Sequence, residues 1–208
     1  MGQTWWQWVL KSSTAVYHLI AQTRGARVVV DFLNGAKPDV WVADRYAGQN
    51  NHGRKRQVCL AHLLRDAQYA IDGGDTAFGP AFKHILKRAL AIGRRREALK
   101  DSTLAQHRAD LDRRLSRLQA TPPPAPAGRK LVQAIKRCRS DLFVFVTRRD
   151  VPATNNRCER ALRPSVIFRK VTGCFRSQWG TKLYAAAISV IATGRLNGTS
   201  AVASRGVV

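Results

Sequence analysis

The chain opens with two runs rich in aromatic and β-branched residues, TWWQWVL and AVYHLIAQ, which the polar residues KSST separate. This pattern predicts two antiparallel strands joined by a turn. Trp5, Trp6 and Trp8 alternate along the first strand, so we expect one face to pack into a core and the other to be partly exposed. Base stacking by the exposed face is the less favoured alternative.

Three further elements follow. GARVVVDFLNG has glycine at both ends and predicts a short helix. DVWVADRYAGQN follows Pro38 and predicts a compact strand that ends at Asp44. In RQVCLAHLLRDAQYAIDGG the apolar residues recur at helical spacing up to a glycine pair, which is a common helix C-cap.

The middle of the chain, from Phe78 to about Val146, has the pattern of basic amphipathic helices, with Leu104, Leu111, Leu115 and Leu118 in one stripe. TPPPAPAG interrupts this pattern and predicts a stiff connector, because proline cannot continue a helix interior. After it, helical spacing resumes through LFVFV, which we interpret as helix although this segment alone would also suit a strand.

The last third predicts a helix around Glu159, a short strand or extended piece near FRKVTGCF, and a helix in GTKLYAAAISVIATGRLNG. The whole pattern predicts an α/β fold in which a mixed sheet is interrupted by an all-helical insertion. We place the N-terminal part of the core in residues 1–77, the basic helical insertion in 78–147, and the C-terminal part of the core in 148–208.

Charge narrows the class of partner. The 208 residues include 36 basic and 13 acidic side chains, for a net charge of +23, which predicts a polyanion partner. At 45% hydrophobic the chain can still bury a core, unlike a basic disordered tail. Three arginine runs are candidates for phosphate contacts, with a solvated surface as the alternative: Arg94–Arg96, Arg113–Arg114 and Arg148–Arg149.

Cysteine usage and hydropathy favour the cytosol. The four cysteines show no paired spacing, so we expect reduced thiols and no disulfides. Apolar runs such as AAAISVIA are shorter than the roughly 20 residues of a membrane span, and the N-terminus lacks the pattern of an export signal. We therefore expect a cytoplasmic protein with no membrane partner.

Asp44 and Glu159 are the carboxylates with the clearest chemical context. Asp44 is predicted at the end of a strand, where α/β proteins gather functional groups. Glu159 stands among arginines in TNNRCERALRP. It could complement the helix dipole behind a cap at Thr154, Asn155 or Asn156, or it could serve a metal while the arginines serve phosphates.

Cys59 and His62 have the C-x-x-H spacing of a zinc half-site. No second pair at comparable spacing follows, so a zinc site is not favoured. A buried, hydrogen-bonded histidine remains an alternative to any functional role for His62. We expect Asp66, on the same helix, to pair with Arg65 or another surface base.

Five motifs together resemble the catalytic domain of the insertion sequence 66 family of bacterial transposases. They are VADRYAGQN, CLAHLLRD, TNNRCERALRP, FRK and a Gly-Thr-Lys helix that ends in ATGRLNG, and they span about Trp5 to Gly198. The resemblance implies a ribonuclease-H-like fold and DNA transposition. It also implies a DDE triad, two aspartates and a glutamate, that holds two Mg²⁺ or Mn²⁺ ions for DNA strand cleavage and transfer.

The resemblance also implies roles for particular residues. Asp44 matches the second aspartate and Glu159 the glutamate, so both are the expected catalytic and metal-binding residues. His62, Asn155 and Asn156 are expected to support them. The expected DNA-contacting residues are Arg157, Arg160, Arg163, Arg169, Lys170 and Arg176. The implied partner is double-stranded DNA, both transposon ends and target, in the bacterial cytosol with the nucleoid, and the resemblance leaves homo-oligomerisation open.

The sequence departs from the family pattern at its ends. The first catalytic aspartate is expected on a strand just upstream of the Trp-rich hairpin, whereas the first aspartate present, Asp31, lies in a predicted helix. We therefore expect an incomplete triad, in a chain truncated at both ends. The alternative to a DDE transposase is an inactive remnant that only binds nucleic acid, and a basic structural protein of unrelated fold is the third reading.

Overall fold

The computed structural model describes residues 4–173, 175 and 177–199. The described chain is a mixed α/β structure, mostly helical, with two small two-stranded sheets. It divides into two compact units. The terminal unit comprises Met1–Asn34 with Asn156–Val208, and the central unit comprises Gly35–Asn155.

The elements follow one another along the chain with short connections. They are β1 Trp6–Lys11, β2 Val16–Ala21, α1 Arg27–Leu33, β3 Val40–Ala43, β4 Lys55–Val58, α2 Leu60–Asp72, α3 Phe78–Arg95, α4 Asp101–Ala120, α5 Pro126–Lys136, α6 Val144–Thr147, α7 Asn156–Thr172 and α8 Gln178–Leu196. Short 3₁₀ turns occur at Ala47–Gln49, Arg96–Ala98 and Arg139–Asp141.

The terminal unit is built on the predicted hairpin. β1 and β2 pair antiparallel, from Trp6 opposite Ala21 to Lys11 opposite Val16. Ser12 Oγ accepts hydrogen bonds from the backbone N–H groups of Thr14 (3.2 Å) and Ala15 (3.0 Å), which stabilise the turn. α8 packs against β2, and α7 packs against β1.

The central unit contains the parallel pair β3 and β4, in register from Val40 beside Lys55 to Ala43 beside Val58. β3 is the predicted strand that ends at Asp44. β4 is a strand that the hydrophobic pattern did not predict, because its sequence, KRQV, has a single apolar residue. The polar side chain of Gln57 is nevertheless fully buried in it.

Helices α2–α6 surround one apolar core in the central unit. Phe78 and Phe82 stack with ring centroids 5.7 Å apart, and both are fully buried. The predicted stripe of α4 is buried at Leu104, Leu111 and Leu115. The segment 78–147, predicted as helical from its spacing, forms α3, α4, α5 and α6.

Three predicted boundaries need correction. The extended piece expected near FRKVTGCF is helical up to Thr172, where α7 ends at Gly173, whose φ of +68° is easily adopted by glycine; Cys174 of this piece lies outside the described residues. The connector TPPPAPAG is shorter than expected, because Pro126 occupies the first turn of α5, where its missing N–H costs no helical bond. The helical spacing through LFVFV is broken by the 3₁₀ turn Arg139–Asp141 before α6.

Candidate nucleic-acid and metal site

Asp44 directly follows β3, at the carboxyl end of the parallel pair. Its Oδ1 accepts a hydrogen bond from the backbone N–H of Tyr46 at 2.9 Å, which forms a tight turn around the carboxylate. The guanidinium of Arg56 donates to the backbone carbonyl of Asp44 at 2.6 Å. The turn at Tyr46 therefore holds the partly buried Asp44 carboxylate, and Arg56 of β4 holds the Asp44 backbone at the strand end.

The end of β4 and the start of α2 lie, like Asp44, at the carboxyl end of the parallel strand pair. Cys59 N donates to Ala43 O at 2.8 Å, which joins the two strand ends. The N–H of Leu60 donates to Ala153 O at 3.0 Å, and the N–H of Asn155 donates to Cys59 Sγ at 3.4 Å. The segment from Ala153 to Asn155 is thus attached to the junction between β4 and α2.

Two of the predicted supporting residues belong to this junction. His62 is partly buried in the first turn of α2. Asn155 contacts Cys59 through its backbone, and its side-chain Oδ1 is buried with no hydrogen-bond partner among the described residues. Asp66, one turn further along α2, forms an ion pair with Arg45 at 2.5 Å, which confirms the predicted pairing with a surface base.

α7 carries most of the remaining predicted residues. Asn156 is its first residue, and Glu159 lies partly buried in its first turn. Arg157, Arg160 and Arg163 are exposed and recur every third residue, so they share one side of the helix. Arg169 and Lys170 are exposed in the last turn, whereas Arg176 lies outside the described residues.

The predicted site residues therefore belong to two units. Asp44, His62 and Asn155 are in the central unit, and Asn156, Glu159 and the arginines of α7 are in the terminal unit. That Asp44 and Glu159 share a metal stays a prediction, as do the predicted domain boundaries. Among residues 4–173, 175 and 177–199, no group of three or more His, Cys, Asp and Glu side chains is placed to hold a metal ion.

Several predicted phosphate contacts have structural partners instead. The Arg96 guanidinium donates to the backbone carbonyls of Phe145 (2.8 Å) and Val151 (2.7 Å), and also to that of Arg149. Arg114 pairs with Asp110 at 2.8 Å and holds the pKa of that carboxyl below its usual range. These side chains are engaged within the fold, which an arginine run in the sequence does not reveal.

A basic cleft was missed by the sequence reasoning. It has a volume of about 720 Å³ in the central unit, and its lining includes Arg54, Lys55 and Arg56. These three residues form a run in the sequence that could have drawn attention to it. The rest of the lining comes from distant segments, so periodicity alone does not predict the cleft.

Comparison with known proteins identifies the family. A model of the transposase IS66 family matches residues 1–183. The chain belongs to this family. The match confirms the resemblance predicted from the motifs, and every predicted site residue of this IS66 family member lies within the matched range.

Two other comparisons gave no matches: the chain matches no curated protein and no solved structure. For this IS66 family chain, none of the helices in the described range is both long and apolar enough to cross a bilayer.

Proposed function

We propose that this IS66 family chain is the catalytic part of a DDE-type transposase that cuts double-stranded DNA and joins it to a target. The observation that carries the proposal is the family match over residues 1–183 together with Asp44 at the carboxyl end of a parallel strand pair. The order of elements, a hairpin followed by a short helix, a strand, a second strand and a helix, supports a ribonuclease-H-like core.

In this proposal Asp44 and Glu159 are the metal ligands. Carboxylate oxygens on strand ends and helices suit Mg²⁺ or Mn²⁺, which prefer hard oxygen donors. Two carboxylates fit such ions in kind but supply few of the six oxygens that Mg²⁺ requires, so other ligands would complete the shell. When bound, a metal pair activates the attacking oxygen and stabilises the leaving oxygen at a phosphate.

The protein's own residues would position the DNA. Arg157, Arg160 and Arg163 project from one side of α7, near Glu159 in sequence, and guanidinium groups bind phosphate oxygens in a bidentate manner. Arg169, Lys170 and Arg176 would extend this contact along the backbone. His62, Asn155 and Asn156 would orient the carboxylates or the phosphate, and the proposed place of action is the bacterial cytosol.

A second candidate function is binding of nucleic acid without cleavage. The observation that favours it is the net charge of +23, which is sufficient for salt-dependent binding and needs no metal. Both candidates predict binding of duplex DNA, and they differ in chemistry alone.

The test is Mg²⁺-dependent nicking and strand transfer, measured beside Mn²⁺ binding by calorimetry. For a DDE enzyme we expect Asp44→Asn and Glu159→Gln to abolish strand transfer and weaken Mn²⁺ binding. The matched control is Asp66→Asn, which removes the same charge from the ion pair with Arg45 and should retain activity.

Two outcomes would contradict the catalytic assignment. Salt-dependent DNA binding with no cleavage by the unaltered chain would favour the second candidate. Full activity of a folded Glu159→Gln variant would show that α7 does not supply the metal ligand. Circular dichroism of each variant separates loss of chemistry from loss of fold.

A further inference from the structure

The basic cleft in the central unit is formed by segments far apart in sequence. Its cationic lining consists of Arg54, Lys55, Arg56, Arg108, Arg137 and Arg148, against one carboxylate, Asp141. Of these residues only Arg148 belongs to an arginine run proposed from the sequence as a phosphate contact, and none belongs to the DNA-contacting set implied by the family resemblance, which lies on and beyond α7. A cavity with this charge imbalance attracts a multivalent anion.

Most of this positive charge is available to a ligand. Lys55 and Arg137 are exposed and form no ion pair with the described residues. Arg56 donates to Asn50 Oδ1 and to the backbone carbonyl of Asp44, which are neutral acceptors, so its charge is not cancelled. The Nε of Arg56 is buried and has no partner within the described ranges.

Arg54 and Arg148 have mostly exposed partners, whereas Arg108 pairs with the partly buried Asp112 at 2.8 Å and is less available to a ligand. Arg54 lies 3.8 Å from Asp39, and both side chains are about 70% exposed. Arg148 pairs with Asp150 at 2.8 Å, and this carboxylate is also mostly exposed. Exposed ion pairs contribute only about 0–1 kcal/mol, so a phosphate can exchange for these carboxylates at little cost.

The cleft is built on a fixed loop. Asn51 has a φ of +63°, and a Cβ on Gly53 would lie 2.9 Å from Lys55 O and from Trp41 Cβ, so only glycine fits there. His52 is buried, with its Nε2 2.9 Å from Gly48 O and its ring 5.4 Å from the ring of Trp41. These contacts hold the loop that leads into the cations of β4.

The opposite wall is fixed to the same strand. The buried Gln57 donates to Leu142 O at 3.0 Å and accepts a hydrogen bond from Phe145 N at 2.9 Å. It thereby ties β4 to the segment that carries Arg137 and Arg148. The backbone segments that carry the cations are thus fixed before any ligand arrives, which lowers the entropy cost of binding.

We propose that this basic cleft is a second DNA-binding site, which takes the phosphate backbone of a duplex independently of the α7 arginines. Duplex DNA presents about one negative charge per 1.7 Å of axis, so a cleft of this volume faces more than one phosphate. The site goes beyond the proposed catalytic function, and it binds DNA whether or not Asp44 and Glu159 support cleavage.

The test uses the full chain and a fluorescent duplex of about 20 base pairs, with binding measured by anisotropy over a range of salt concentrations without divalent metal. The test variant is Lys55→Gln with Arg137→Gln. The control, Lys87→Gln with Arg117→Gln, removes the same charge from exposed positions of α3 and α4 outside the cleft lining. We expect the test variant to reduce the log–log salt slope by about 1.8, since each phosphate contact contributes about 0.9.

The expected loss of affinity is about tenfold or more for the test variant and clearly smaller for the control. Equal losses in the two variants would overturn the proposal, because the effect would then reflect net charge alone. Calorimetry with inorganic pyrophosphate is a second arm: binding that the test variant abolishes while duplex binding is unchanged would replace DNA with a small anion as the ligand. The anisotropy and calorimetry results can be interpreted in the same way even if the chain has no catalytic activity.

Discussion

The two units of this chain bury apolar and polar side chains in different proportions. The core of the central unit runs from Val58 to Val151 and consists of buried residues, nearly all of them aliphatic or aromatic. In the terminal unit the buried apolar residues are few, and the polar side chains of His18, Ser165 and Ser189 are buried beside them. Val171 and Trp179 of the terminal unit are 80% and 74% exposed.

The buried polar groups of the terminal unit form a connected network. Gln7 Nε2 donates to His18 Nδ1 at 2.9 Å and to Ser165 Oγ at 2.8 Å, and the hydroxyl of Tyr184 donates to the same Oγ at 3.0 Å. His18 N donates to Ser189 Oγ at 2.8 Å.

This difference separates two sources of stability. Apolar burial is non-directional and contributes about 1.5–3 kcal/mol for a large side chain, whereas a hydrogen bond contributes about 1 kcal/mol net and depends on geometry. The central unit should therefore tolerate changes in its surface, while the terminal unit should depend on a few polar contacts.

The largest effect is expected from Phe82→Ala in the central core. Phe82 is fully buried and stacks on Phe78, so we expect a loss of about 3–5 kcal/mol in the free energy of unfolding. Urea unfolding followed by circular dichroism measures it. The matched control is Phe168→Ala in the terminal unit, where the ring is 36% exposed and the cost should be about 1 kcal/mol. Equal losses of unfolding free energy in the two variants would show that the two units do not differ in their dependence on apolar burial.

A smaller effect is expected from Asp75→Ala, which removes a buried cap from α3. The Asp75 carboxylate accepts hydrogen bonds from the N–H groups of Ala77, Phe78 and Gly79, the last at 2.6 Å. We expect a cost of about 2 kcal/mol, since buried donors are left unpaired. Asp72→Ala, at an exposed carboxylate of α2, should cost much less in the same urea titration. Similar costs would show that the buried polar contacts of the central unit matter less than its apolar core.

Ser189→Ala probes the network of the terminal unit. It leaves the buried N–H of His18 without its acceptor, so we expect a cost of about 1–2 kcal/mol. Thermal unfolding beside Ser102→Ala, an exposed serine of α4, isolates the effect of burial. No difference between the two variants would mean that the terminal unit does not rely on this contact.

The smallest effect is a pH dependence. Burial lowers the pKa of His18, so the unfolded chain binds this proton at higher pH than the folded chain. The stabilisation is present above the unfolded pKa of about 6.5 and is lost as pH falls toward the lowered folded pKa. His18→Gln should flatten the dependence of the urea midpoint between about pH 7 and pH 5, whereas His84→Gln, at an exposed histidine, should not. If the pH dependence of the urea midpoint is unchanged in His18→Gln, other titratable groups cause that dependence.

Much of the fold follows from local patterns. The turn at KSST, the strand before Asp44 and the glycine pair after α2 all have local physical causes, and the sequence predicts them. β4 was missed because Gln57 is satisfied by Leu142 and Phe145, which lie more than 80 positions away. The prediction of an extended piece at the end of α7 was wrong because valine, present there as Val171, is common in strands. Val171 is exposed in the structure, so the burial pattern of this segment does not distinguish a helix from a strand.

The candidate site also has parts that the sequence predicts and parts that it does not. Asp44 could be placed at a strand end from the sequence, and the family motifs singled out Glu159 as the expected glutamate, a role that stays a prediction. The basic cleft could not be predicted, because Arg56, Arg108 and Arg148 come together only through tertiary packing. The structural use of Arg96 was equally hidden, since its three carbonyl acceptors lie about 50 positions along the chain.

Cys59 makes the junction at the end of β4 chemically observable. Its thiol is fully buried and accepts a hydrogen bond from the N–H of Asn155, so a thiol-reactive reagent can reach it only after the structure around this junction opens locally. Cys158, in contrast, is partly exposed. The rate at which Cys59 is alkylated in the folded chain therefore reports how often the strand-end junction beside Asp44 opens. Timed labelling of this thiol measures that local motion.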